Sequence, residues 1–306
     1  MNNVLRAVAI VLLGGMPCNI HAQTNHAASP DYRKLRTDRA TNLARRDGLL
    51  SIVARETIVP GDTTIGSALD NKIIVLGMPP HLGVLHMTQS RDVTLAIASS
   101  EMGKGVMISK VPVVSSWDLH LSTDMEWLPW GDFHFGEIPS KETLAVRLLV
   151  KYKKSEAVNN FPGLRWFPPA SQFRVKAHWI PEHDGMPMTV SFSGGSIHPE
   201  PIAGYAEFIL HGKKCRLAAT VDDDQLFFVI GDKTNSRESY GGGRFLYASD
   251  PDRGRSQEGT LVLDFNQLTN PYCSYSIGQN CPRPTRDNTL PFAITAGEKK
   301  FSAEPM

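Results

Sequence analysis

From Leu49 onward the chain is written as apolar runs of about four to eight residues, rich in Val, Ile and Leu and separated by Gly, Pro, Asp and Asn. That punctuation constrains the fold most, because a run of this length suits one pass of a β-strand through a core. In Phe173–Trp179 the apolar Phe173, Val175, Ala177 and Trp179 alternate with Arg174, Lys176 and His178. A period of two places the four apolar side chains on one face of a half-buried strand and leaves His178 on the polar face. Tyr205–Leu210 and Cys215–Val221 flank His211 and Gly212 as a hairpin; Asp222, Asp223 and Asp224 form the next turn, and Gln225–Ile230 the next strand. No repeat of fixed period runs through the chain, which argues against propellers and solenoids.

The expected fold class is mainly β: two consecutive antiparallel β units, each a sandwich or partly open barrel, preceded by a signal peptide and one short amphipathic helix. Residues 1–22 read as the signal, with Arg6 as its positive start, Ala7–Leu13 as its apolar run and Ile20, His21 and Ala22 before the cleavage site, so the mature chain begins at Gln23. The run is far short of a membrane span, so no integral membrane segment is expected after cleavage, and the localisation is periplasmic or secreted. Cys18 follows Pro17 rather than the small residue that lipidation wants, so removal with the signal is preferred. Residues 29–48 form the helix. Ser29, Pro30 and Asp31 open it, Gly48 closes it, and Tyr32, Leu35 and Leu43 trace a narrow apolar stripe amid charges read as a solvated face. The first β unit covers 49–160 and the second 161–306. Pro162, Gly163, Pro168 and Pro169 punctuate the junction, and Trp166 and Phe167 anchor it.

Removing residues 1–22 takes away one basic residue and leaves 31 basic against 31 acidic. A neutral chain without a basic block is a poor partner for nucleic acid. Cys273 and Cys281 lie in a Pro-, Asn-, Ser- and Gly-rich segment, where a disulfide is the first reading; zinc, which wants closer spacing and two further ligands, is the second. Cys215 sits in an apolar stretch as a small buried side chain. His81, His86, His120 and His134 lack paired metal spacing, and no metal or cofactor is expected.

The least ordinary composition lies between Gly231 and Leu290. Asp232, Thr234, Glu238, Tyr240, Gly241, Gly243, Arg244, Phe245 and Leu246 resemble the first signature of the domain of unknown function 1684 (DUF1684) family. Asp264, Phe265, Asn266, Asn270, Pro271, Cys273, Cys281, Pro282, Asn288 and Leu290, then Ala296, Gly297 and Glu298, resemble its C-terminal pattern. Tyr32–Gly48 resembles the family's leading helix and Gly61–Val75 its segment around Ile65, Gly66, Ser67, Asn71 and Ile73. Ala54, Arg55, Glu56 and Thr57 stand where the family carries an aromatic-rich run, and Tyr272 where it carries a proline. The resemblance implies candidate residues but no reaction. Gly61–Val75 also resembles the opening of a forkhead-associated sandwich; Ser67 follows Ile65 and Gly66 where that family's phosphopeptide-binding arginine would stand, so this unit is read as a scaffold.

Gly241, Gly242 and Gly243 permit positive φ, and their N–H groups would cradle an anion beside the planar cation of Arg244. Internal pairing of Arg244 with Glu238 or Asp264 is the competing reading. Asp232, Tyr240, Gly241, Gly243, Arg244, Asn266 and Asn270 are thus candidate ligand-binding residues, and Glu238 and Asp264 candidate catalytic acid and base. Turn and cap hydrogen bonding is the alternative for the acids and asparagines. The first functional reading is a binding protein for a small anionic ligand. An envelope hydrolase or lyase using Glu238 and Asp264 comes second and a structural or interaction module third; the oligomeric state is open.

Overall fold

The structure, a computed structural model, describes residues 30–98, 107–108, 111–112, 116–119, 128–130, 132–139, 144–276 and 279–302. The signal peptide, Cys18 and His120 lie outside them. The described chain is mainly β. Helix α1 (Tyr32–Ala44) leads into β1 (Ile52–Ile58), β2 (Gly61–Gly66), β3 (Ile73–Ile74), β4 (Gly83–Met87) and β5 (Val93–Ile97). A short ribbon of β6 (Met107–Ile108) and β7 (Val111–Pro112) precedes β8 (Ser116–Leu119), β9 (Leu128–Trp130), β10 (Phe133–Pro139) and β11 (Val146–Tyr152).

These strands make a four-stranded sheet, ordered β1-β11-β10-β9, and a five-stranded sheet, ordered β3-β2-β4-β5-β8. All pairs are antiparallel except β2 with β3, where Ile65 faces Ile73. Alternation puts Leu85 and Met87 of β4, Val93, Leu95 and Ile97 of β5, and Val146, Leu148 and Val150 of β11 into one shared aliphatic core. Face-to-face burial of two apolar sheet faces is the ordinary stabilisation of such a pair. The short α2 (Glu156–Asn159) follows. Ser155 caps it by accepting from the Val158 N–H at 3.2 Å and ties it to the start of β1 by donating to the Leu50 carbonyl at 2.8 Å.

Beyond the proline-rich 161–169 run β12 (Arg174–Pro181), β13 (Pro187–Ser191), β14 (Ile197–Pro201), β15 (Gly204–Leu210), β16 (Lys213–Asp222), β17 (Gln225–Ile230), β18 (Arg244–Ala248) and β19 (Gly259–Asp264). Six form one sheet, ordered β18-β17-β16-β15-β12-β19, and β13 pairs with β14 as a separate hairpin. The expected alternation holds: Phe173, Ala177 and Trp179 are buried while Lys176 and His178 are exposed. His211 and Gly212, and then Asp223 and Asp224, have positive φ, the backbone that a two-residue hairpin needs to match strand twist.

The sheet curls. The ten-residue β16 pairs with β15 through Lys213–Ala219 and with β17 through Thr220–Asp222. β12 likewise divides itself between β19 and β15. The edges approach until Phe245 and Thr269 exchange backbone hydrogen bonds of 2.8 and 3.0 Å, which makes a half-barrel. Its interior holds Phe173, Trp179, Phe208, Leu217, Phe228, Leu261 and Phe265. The C-terminal segment, with Leu290, Ile294 and Ala296 in the same core, runs back across it.

Candidate functional site

Arg244 opens β18 and is fully buried, with Asp232 at 6 % exposure beside it. Its Nη2 donates to Asp232 Oδ2 at 2.8 Å and to the Ile294 carbonyl at 2.8 Å, and its Nη1 to the carbonyls of Ala296 and Glu298. Asp232 Oδ1 accepts from the N–H groups of Thr234 at 2.7 Å and Ile294 at 3.1 Å. Burial pulls the guanidinium below its ordinary range, and the Asp232 charge opposes that. The pair fastens the C-terminal segment over the barrel. No face of Arg244 is open to a ligand, so its role as an anion anchor gives way to internal pairing, with Asp232 rather than the anticipated Glu238 or Asp264.

The glycine loop is a turn, not a cradle. Only Gly243 of the three has positive φ, and a Cβ there would stand 2.4 Å from the Pro284 ring, so glycine is required for close packing. Gly241 is exposed, and Tyr240 is half-buried with its carbonyl held by Asn235. Glu238 is exposed. Asp264 is buried at the end of β19 and accepts from Asn266, Gln267 and the Tyr32 hydroxyl, the last at 2.8 Å. Burial and the Asp264 charge push the Tyr32 hydroxyl up to about 12. Asn266 closes the polar atoms of Ala170 by one donated and one accepted bond. Asn288 does the same for Ala218, whose backbone β17 leaves unpaired because it joins β16 only from Thr220. Asn270 donates to Glu298, a fully buried carboxylate that also holds Arg39 at 2.9 Å and the Tyr275 hydroxyl. Cys273 and Cys281 form a disulfide, Cα 6.3 Å apart, and Ser193 ties it to the β13–β14 hairpin. Cys215 is free and buried.

The helix α1 differs from expectation. Leu35 is 44 % exposed, and the face that docks onto the barrel carries Tyr32, Arg36, Arg39 and Leu43, spaced four, three and four apart on one side of a helix. Its charges are therefore not all solvated. Arg39 binds Glu298 and the Asn270 carbonyl; Arg36 donates to the Phe167 carbonyl at 2.9 Å and lies 5.0 Å over the Trp166 ring.

Beside this face runs a groove of about 440 Å³, lined by Tyr32, Arg36, Asp38, Arg39, Asn42, Trp166, Asn266, Gln267, Tyr247 and Tyr272 among others, with Asp38 paired to Lys34 and Arg39 to Glu298. Arg36 differs from Arg39 there: no carboxylate pairs with it among the described residues, its Nε is buried without a partner, and burial pulls it below its ordinary range. Arg36 and Tyr247 escaped the sequence reading, which gives Trp166 only as a junction anchor and Tyr272 only as a departure from the family pattern; for Arg36 the four-three-four spacing of α1 was the available signal. Among the described residues His81 and His86 are exposed beside Asp70 and Asp62, burial lowers His134, no cluster of three metal-ligating side chains occurs, and no helix is long and apolar enough to cross a membrane.

Residues 159–299 match the model of the family described as protein of unknown function DUF1684. The solution NMR structure of an uncharacterized protein from gene locus rrnAC0354 of Haloarcula marismortui is similar at 32% identity, over 46% of this chain and 78% of that one, with a TM-score of 0.39. No curated protein matches the chain.

Proposed function

We propose, for a chain that belongs through residues 159–299 to the DUF1684 family of proteins of unknown function, that it binds a small anionic ligand in the α1 groove with Arg36 as the anchor. The observation that carries this is a cation in an open groove with no paired acid, next to a fold in which Arg39 and Arg244 each have one. A guanidinium presents a flat fork matched to an oxyanion, and stacking on Trp166 holds that fork in one plane. An incoming anion would offset the desolvation that now lowers Arg36. The amides of Asn42 and Gln267 and the hydroxyl of Tyr272 line the same groove and supply neutral hydrogen bonds for orientation.

The hydrolase or lyase reading has less support. A general acid and base need to face one open site, whereas Glu238 is exposed and Asp264 is buried under three hydrogen-bonding side chains. The chain is proposed to act after export, as the leader and the disulfide suggest, and protein recovered from its native compartment then begins at Gln23.

Calorimetric titration with acetate, butanoate, benzoate and inorganic phosphate tests the site. At least one anion binds, and Arg36→Gln weakens it by about 1.5–3 kcal/mol, the worth of a hydrogen bond to a charged group. An Arg36→Gln protein that melts like the wild type and binds the anion equally well overturns the reading.

A further inference from the structure

Tyr247 and Tyr272 line a second cleft as well, of about 360 Å³, beneath the β13–β14 hairpin and the disulfide loop. Its wall is the outer face of β16, β17 and β18. An antiparallel sheet with one solvated face ordinarily carries polar side chains there. Here Val221, Phe227, Val229 and Phe245 line it, with Val190 and Phe192 contributed from the hairpin side. Phe227 packs edge-on against Phe245, with ring centroids 4.9 Å apart, and at a 30° tilt against Tyr247 at 4.8 Å, so aromatic surface runs without a break to the residue that borders the Arg36 groove. The Tyr247 hydroxyl donates to Asp222 at 2.7 Å, which fixes that ring at the boundary.

We infer that the ligand is a single-chain carboxylate amphiphile: its carboxylate sits on Arg36, and its hydrocarbon chain passes Tyr247 and Tyr272 into the aromatic cleft. The inference rests on the Arg36 reading above and adds the chemical class of the ligand. Among the described residues lining the α1 groove Arg36 is the one cation without a paired acid, and one cation matches one negative charge, which favours a carboxylate over a doubly charged phosphate monoester. Glu200 and Asp222 at the cleft repel a second anion and leave apolar surface as the complement there. The two spaces lie within the range of about 300–1,000 Å³ that holds small ligands. Arg283 also lines the cleft and is exposed, so it is the competing anchor for a chain lying the other way.

The test uses the mature full-length protein and straight-chain carboxylates from butanoate to dodecanoate, titrated with the matching alcohols as uncharged controls. Affinity rises about two- to fourfold per added methylene, the increment of apolar burial, and each alcohol binds at least about tenfold more weakly than its acid. Val221→Glu, at a 48 % exposed position, flattens the dependence on chain length and leaves butanoate binding unchanged. Arg36→Gln weakens every acid, and Arg283→Gln none. Butanoate binding that depends on Arg36 but gains nothing from longer chains overturns this inference and leaves the anion site standing. Binding that depends on Arg283 instead overturns the orientation and the Arg36 reading together, as does a series in which no acid binds.

Discussion

The two cores of this protein are built from different chemistry. The sandwich core, drawn from residues 53–152, is aliphatic and aromatic, with Leu85, Leu95, Leu148 and Val150 almost entirely hidden. The half-barrel region buries Asp232, Thr234, Ser239, Arg244, Asp264, Asn266, Asn270, Asn288 and Glu298 alongside its hydrophobic residues. The difference follows from backbone. In the sandwich nearly every buried strand has a neighbour that takes its N–H and C=O groups. The half-barrel instead packs irregular chain, 161–169 and 285–300, against its ends, and each irregular carbonyl needs a donor. Arg244 serves Ile294, Ala296 and Glu298, and Arg39 serves Asn270. The family motifs thus describe how a coiled segment is held, and the α1 groove lies beside them.

That contrast can be broken at its strongest point first. Arg244→Met removes one partner of a buried ion pair and leaves Asp232 Oδ2 and three carbonyls without a donor, so it costs about 3–5 kcal/mol in urea unfolding. Leu148→Ala in the sandwich costs about 2–5 kcal/mol through lost transfer energy and a cavity. A combined Asp232→Leu, Arg244→Met protein sharpens the comparison, because it recovers much of the loss if the isolated charge is the main penalty. Equal losses for the single and double variants would put the penalty in the carbonyls instead.

A smaller effect is expected at the disulfide. Replacing Cys273 and Cys281 by Ser frees a loop with a sequence separation of 8 and lowers stability by about 2–3 kcal/mol on the loop-entropy scale. The loss falls on the half-barrel and the cleft under the hairpin, and hydrogen exchange should show β13 and β14 opening while β4 and β5 keep their protection.

The smallest effect is a pH dependence carried by the buried Glu298 of the half-barrel region. Burial pushes the Glu298 carboxyl above its ordinary 4.5, against the pull of Arg39 and Asn270. The folded state then keeps a proton that the unfolded chain releases, so this group lowers stability as pH rises from about 4.5 to its folded value. Urea midpoints measured upward from that pH should fall, and Glu298→Gln should remove the slope. A slope that survives the substitution assigns it to another group.

Much of the strand pattern was legible because it is short-range. Phe173–Trp179 declares its buried face by alternation, and the turns at His211–Gly212 and Asp223–Asp224 lie where chain reversal is marked by their own residues. The site was less legible. Arg244 beside three glycines reads like an anion cradle, but its partners Asp232 and Ala296 lie 12 and 52 positions away. Arg36 looked like one of many solvated charges, and nothing near it in the chain announces Phe167, 131 positions on.

The sequence by itself determined that the chain is a mainly β protein, where several strands run, and that residues 232–298 carry the DUF1684 pattern, because alternation and motif spacing are properties of neighbouring positions. Only the tertiary structure decided which charges are held inside and which face a groove. The free energy of a guanidinium depends on the carboxylates, carbonyls and rings within a few ångströms of it, and here the sheet curl and the return of the C-terminal segment set that company.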